Sequence, residues 1–135
     1  MVRIAMFAIE ICDARAVALI SFYGELAPRD FVELDRLARS GTGGGFHCIY
    51  DTTAVEVSSL VTDFVASRGR LPATFKGYER IYVVPQDDLK LLVRLFIAYQ
   101  SAQNQPPPVL VDSLAEALQR LGVQRSEFRK VEIPG

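Results

Sequence analysis

Tryptophan is absent from this sequence, histidine occurs once, and cysteine and methionine occur twice each. A structural zinc site needs four ligands at short, regular spacings, and one histidine with two cysteines cannot supply them without carboxylates. No metal site is therefore expected, and no cofactor motif stands out. No stretch approaches the roughly 20 apolar residues that a membrane-spanning helix requires. Neither sign of charge is in surplus: the formal net charge is −1, which gives no electrostatic reason to expect nucleic acid as a partner. The lone histidine also leaves no Ser-His-Asp set to assemble. His47 and Cys48 are neighbours on an expected strand, so their side chains point to opposite faces, and His47 reads as a core or interface residue. No catalytic residue can be named, and a non-enzymatic role is expected.

What is present is the composition of a folded domain. With 135 residues, 50% hydrophobic and 23% charged, the chain is too apolar for disorder and long enough to bury one core. Residues 2–12 are apolar, but Arg3 and Glu10 interrupt them and no small-residue cleavage site follows. They read as a strand rather than a signal peptide, which makes the cytoplasm the expected location. In that compartment Cys12 and Cys48 are expected as reduced, small buried residues.

Hydrophobic periodicity lays out the elements. Strands over 2–12 and 16–23 are too close in sequence for a parallel crossover and form an antiparallel hairpin, closed by Gly24. A helix over 28–40 has Pro28 in its first turn, Asp30 and Glu33 at its positive end, and Phe31, Leu34 and Leu37 along one face. A central strand over 46–50 ends at Asp51, and an exposed turn leads to a helix from Ser58 to Gly69. A strand over 80–84, a helix over 88–103 capped by Asp87 or Asp88, and a strand over 109–111 follow. The last helix has the strongest local signal: Ser113 and Glu116 form a capping box, and Gly122 ends the helix. The order β-β-α-β-α-β-α-β-α predicts an α/β fold with a mixed, mostly parallel five-stranded sheet, one antiparallel edge strand, and helices packed on the sheet. The domain spans 1–123, and 124–135 is a tail with a strand-like piece at 128–133.

Several features ask for a functional reading. The run Gly41-Thr42-Gly43-Gly44-Gly45 follows a helix and opens a strand, the reverse of a phosphate-binding loop, and reads as a connection. Asp51, Thr52 and Thr53 after one strand, and Asp87 and Asp88 after another, mark the carboxyl edge of the sheet, where open α/β folds bind ligands. Strand-end aspartates equally serve as turn formers and caps. Ser58 and Ser59, at a helix amino end, suit a phosphoryl group, since free N–H groups and the helix dipole stabilise negative charge. The 88–103 helix is apolar over more than one sheet face needs, and Leu91, Leu95, Phe96 and Tyr99 define an apolar pocket or a dimer surface. The first strand, free of proline and lysine, is a second route to a homodimer.

With the hairpin, the turn CIYDTTAVEVSS, the strand IYVV before a long helix, and the closing VLVDSLAEALQRLGV in place, the chain resembles the STAS superfamily and its broader SpoIIAA-like group, over roughly residues 1–123. That resemblance implies a non-enzymatic regulatory module that binds a protein partner, with Ser58 and Ser59 as the phospho-acceptor candidates. The familiar motif sets an aspartate before the paired serines and a glycine after them, where this chain has Val57 and Leu60, and so the broader group is favoured. The group also takes in proteins likened to lipid carriers, which makes an apolar ligand the alternative to a protein partner.

Overall fold

A computed structural model describes residues 7–37, 45–71 and 78–132. The chain forms an α/β structure: β1 (Phe7–Cys12), β2 (Val17–Leu26), α1 (Pro28–Leu37), β3 (His47–Ser58), α2 (Thr62–Gly69), β4 (Arg80–Val83), α3 (Asp87–Ala102), β5 (Val109–Val111), α4 (Leu114–Leu121) and β6 (Arg129–Val131). The expected start of the first strand, the helix end at Ser40, the run Gly41–Gly44, and Pro72 with Gly77 lie outside the described residues.

The sheet has six strands rather than five, in the order β5-β4-β3-β2-β1-β6. β2 to β5 pair in parallel, and antiparallel pairing is confined to one edge, where β1 joins β2 and β6. The strand-like piece of the tail supplies the sixth strand. Ile9 pairs with Val131 and Ile11 with Arg129, so β1 is covered and is not the free edge proposed above for a homodimer. Two ion pairs hold this closure, Arg125 to Glu10 at 2.6 Å and Arg129 to Asp13 at 2.6 Å.

Strand alternation divides the core into two layers. Ala18, Ile20 and Phe22 face the side covered by Phe31 and Leu37 of α1, Phe64 of α2, and Leu89 and Val93 of α3. Val17 and Leu19, with Ile49, Ile81 and Val83, face the side covered by Ala117 and Leu118 of α4. The chain steps from β2 to β5 in one direction, and crossovers of a single hand then place all three connecting helices on one face. To deliver β6 to the far edge, the chain returns across the other face, and α4 is the element it uses.

Local signals hold where they are self-contained. Ser113 Oγ accepts from Glu116 N at 3.2 Å, and Gly122 takes the left-handed conformation that ends α4, at φ 68°. Asp30 does more than face a helix dipole: it is fully buried, and its carboxylate accepts the Ala27 N–H at 2.9 Å. Gly24 does not close β2, which continues to Leu26.

Candidate functional site

The central strand departs most from its expected form. β3 has 12 residues and carries on through the segment expected as an exposed turn. Two register shifts against β2 make this possible: Ser21 pairs with Asp51 but Tyr23 with Ala54, and Gly24 pairs with Val55 but Glu25 with Val57. Each inserts one extra residue on β3, a β-bulge that leaves backbone groups to be satisfied by other means. At the first bulge Asp51 does this, its Oδ1 accepting from Thr53 N at 2.9 Å and Thr53 Oγ1 at 2.5 Å. Asp51 is therefore a buried bulge residue within a strand, not the last residue before a turn.

Beyond Asp51, β3 has no strand on its β4 side, because β4 pairs only as far as Val83. Gln86 takes the place of that strand. Its Nε2 donates to Thr52 O at 2.7 Å and Val55 O at 3.2 Å, while Thr52 Oγ1 donates to Val83 O at 2.7 Å. Thr52 is thus tied to the amino end of α3, although Asp87 and Asp88 are not part of that connection. They stand exposed in the first turn of α3, and the residue at its cap is Gln86, which makes no side-chain cap bond. Among the described residues, the side-chain bonds of Asp51 go to Thr53 and not to either of these aspartates. Nothing in the sequence singles out Gln86, since its role exists only once the strand beside it is bulged.

Ser58 and Ser59 sit where β3 ends, four and three positions before α2 begins at Thr62, and neither caps that helix. Ser59 N and Oγ both donate to Leu26 O, at 2.9 and 3.4 Å, and Ser58 Oγ accepts from Leu60 N at 3.3 Å. Ser59 is exposed and Ser58 half-buried. Tyr23, Val57 and Val61, at this same end of the sheet, are 41%, 61% and 58% exposed.

A second feature lies between α1, α2, α3 and the sheet. Phe31, Leu60, Phe64, Val65, Tyr82, Leu89, Leu92, Val93 and Phe96 line a half-open apolar cleft of about 50 Å³, with Arg68 among them. Arg68 is held by a two-pronged bond to Asp35, at 2.8 and 3.1 Å, and its guanidinium lies over the Phe31 and Phe64 rings, 5.2 and 5.9 Å from their centroids. Of the four residues expected to form an apolar pocket, only Phe96 lines this one. Leu91 points to solvent, Leu95 is partly exposed, and Tyr99 packs under Arg70 and against Gly69. Leu89, Leu92, Val93 and Phe96 line the cleft because that side of α3 faces the sheet.

Behind the cleft, Tyr50 and Tyr82 stack at 4.7 Å between centroids on neighbouring strands. Burial pushes both phenols up, Tyr50 well above the ordinary tyrosine value, and burial also raises the Cys48 thiol beside them. That shift disfavours the thiolate, the reactive form of Cys48. His47 Nδ1 accepts the Glu79 N–H at 2.9 Å, and the ring meets Tyr78 edge-on at 5.1 Å, so it serves a structural contact.

Among the described residues, no group of three or more His, Cys, Asp or Glu side chains is placed to hold a metal ion, and no helix is long and apolar enough to cross a membrane. The fold and geometry define an α/β protein with a six-stranded mixed sheet and a bulged central strand. Comparison with protein-family models, with curated proteins and with solved structures returned no match.

Proposed function

We propose that this chain is a non-enzymatic STAS-like regulatory module that binds a protein partner at the carboxyl end of its sheet, with Ser58 or Ser59 as the switchable hydroxyl. The observation that carries the reading is the exposure of Tyr23, Val57 and Val61 around a turn in which Ser59 is itself exposed. Aromatic and aliphatic groups beside a modifiable serine suit a protein contact that added charge would reset. Phosphorylation of Ser59 would replace the hydroxyl hydrogen that is donated to the Leu26 carbonyl and set about two negative charges ahead of α2, whose cap residue, Val61, offers no side-chain acceptor.

The test is native mass spectrometry of the protein isolated from its own host. One phosphate on the peptide spanning residues 57–60, lost in a Ser58→Ala/Ser59→Ala variant, supports the switch. A copurifying partner should bind Ser59→Asp about tenfold differently, the scale of one charge-assisted hydrogen bond. A bare serine turn under every growth condition, with no partner whose binding responds to Ser59→Asp, refutes it.

A second reading, a carrier of an apolar small molecule, rests on the cleft under α2 and α3. Its volume of about 50 Å³ holds only a small apolar group, whereas pockets for drug-sized ligands run to roughly 300–1,000 Å³. A lipid would have to move α2 away from α3, so a lipid-like mass retained in the same measurement would favour this reading and demand that displacement.

A further inference from the structure

Among the described residues, one face of α3 is covered by no other element. Leu91 is 66% exposed, Ala98 and Ala102 are exposed and Leu95 is partly so, while Leu89, Val93 and Gln100 on the far side are buried. The outward set recurs at intervals of four, three and four residues, the spacing of a coiled-coil seam. The stripe is also graded in size, with both leucines toward the amino end and both alanines toward the carboxyl end.

From this grading we infer that α3 is an interface with a second copy of the chain, packed antiparallel about a two-fold axis level with Phe96 and Ile97. This interface stands apart from the serine turn and does not rest on the reading above. In this register Leu95 faces Ala98 of the second copy and Leu91 faces Ala102, so every layer sets a large residue against a small one. Leu92 and Tyr99, on the flank that packs toward α2, stay outside the seam. Arg94 and Ser101 form the polar flank, and Arg94, exposed and without an ion pair among the described residues, stays at the rim. A parallel pair would stack leucine on leucine and alanine on alanine, leaving a gap in half of the seam.

A lipid surface fits this face poorly. Membrane-surface helices carry lysine and arginine along their polar margins, whereas Asp87 and Asp88 stand exposed at the leading end of this stripe and Lys90 is turned to Asp112 at 2.6 Å. The seam runs about 16 Å along the helix. One helix of that length covers less than the roughly 800 Å² per partner of a standard interface, so the dimer is reversible and concentration-dependent.

Sedimentation velocity of the full chain over a concentration series tests this. The wild type should pass from monomer to dimer, and Ala98→Glu, which adds a charge at an exposed position and leaves the core alone, should weaken the dimer at least tenfold. Leu95→Ala and Ala98→Leu should each weaken it, and the exchanged double variant Leu95→Ala/Ala98→Leu should recover it, because the swap restores large against small. Circular dichroism and melting confirm that each variant is folded. A wild type that stays monomeric to its solubility limit overturns the inference, as does a dimer indifferent to Ala98→Glu. Dimerisation with no recovery in the exchanged variant overturns the antiparallel register, and a monomer that floats with lipid vesicles assigns the face to a membrane instead.

Discussion

Replacing Gly69 with alanine sets two effects of opposite sign against each other. Within a helix, glycine to alanine ordinarily stabilises by about 0.5–1 kcal/mol, because alanine loses less backbone freedom on folding. Gly69 is the last residue of α2, and its φ is not in the left-handed region, so its backbone gives alanine no difficulty. Space does. A β-carbon at position 69 would lie closer than 3.0 Å to Tyr99 Cβ, 3.3 Å from Tyr99 Cγ and 3.4 Å from Phe96 O. The obstructing Cβ is fixed to the α3 backbone and cannot rotate away, so the helices have to separate. Overpacking of this kind costs roughly 1–3 kcal/mol. Separation also stretches the two bonds by which the buried Gln100 amide holds the end of α2, to Gly69 O at 2.7 Å and Leu71 O at 3.1 Å. Each is worth about 1 kcal/mol. The net expectation is a loss of about 1–3 kcal/mol and a fall in Tm of roughly 4–10 °C for a chain of this size. Chemical and thermal denaturation read this directly. Gly122→Ala is the control for backbone strain alone, since φ there is +68° and a β-carbon meets nothing within 4 Å; it should cost about 1 kcal/mol. In a Tyr99→Gly background the obstruction is gone, and Gly69→Ala should become neutral or stabilising. A Gly69→Ala protein as stable as the wild type, or more so, would refute the close helix contact.

Other expectations concern the bulged strand and the buried phenols. Gln86→Leu removes the donor that serves Thr52 O and Val55 O; it should cost about 1–3 kcal/mol and speed amide exchange along residues 52–57. Unchanged stability and exchange would show that β3 does not depend on that amide. Because burial raises the folded pKa of Tyr50 and Tyr82 above the ordinary 10.0, the unfolded chain gives up these protons first. Their contribution is therefore complete below about pH 10 and is lost as pH rises through the folded values. In an alkaline titration followed by phenolate absorbance and circular dichroism, these two tyrosines should ionise only as the fold is lost. Ionisation of all five tyrosines in the ordinary range with the fold intact contradicts their burial.

The parts of the fold that could be read in advance are those whose cause is local. Ser113 and Glu116 are three residues apart, and their bond needs nothing from the rest of the chain. The hairpin and the alternation of strand and helix follow from spacing, and the surplus of apolar residues on α3 is visible in the stripe that Leu91 leads into solvent. The length of β3 was not legible in the same way. Its continuation past Asp51 depends on Gly24 and Glu25 across the sheet, and on Gln86 arriving 34 positions later in the chain to bond Thr52. Asp51 and Thr53 look the same in a tight turn as in a bulge, because the short bond from Thr53 back to Asp51 is common to both. Which side of α3 meets the cleft was hidden for a related reason. Leu91 and Leu95 are as apolar as Leu92 and Phe96, and only the position of the sheet decides which pair is enclosed.

The closure of the sheet by β6 bears on how the chain folds as it is made. Arg125 lies 115 positions beyond its partner Glu10, so β1 leaves the ribosome long before the strand that will cover it exists. During that interval the β1–β2 hairpin presents an open row of backbone donors and acceptors, flanked by Phe7, Ile9 and Ile11, to any other nascent chain. The sheet can grow from β2 toward β5 meanwhile, since each of those pairings joins neighbours in sequence. The last pairing is the one with the greatest loop to close, and it is the slow step on grounds of topology. Until Arg125 and Arg129 reach Glu10 and Asp13, the yield of soluble protein depends on how long one unguarded edge goes without meeting another.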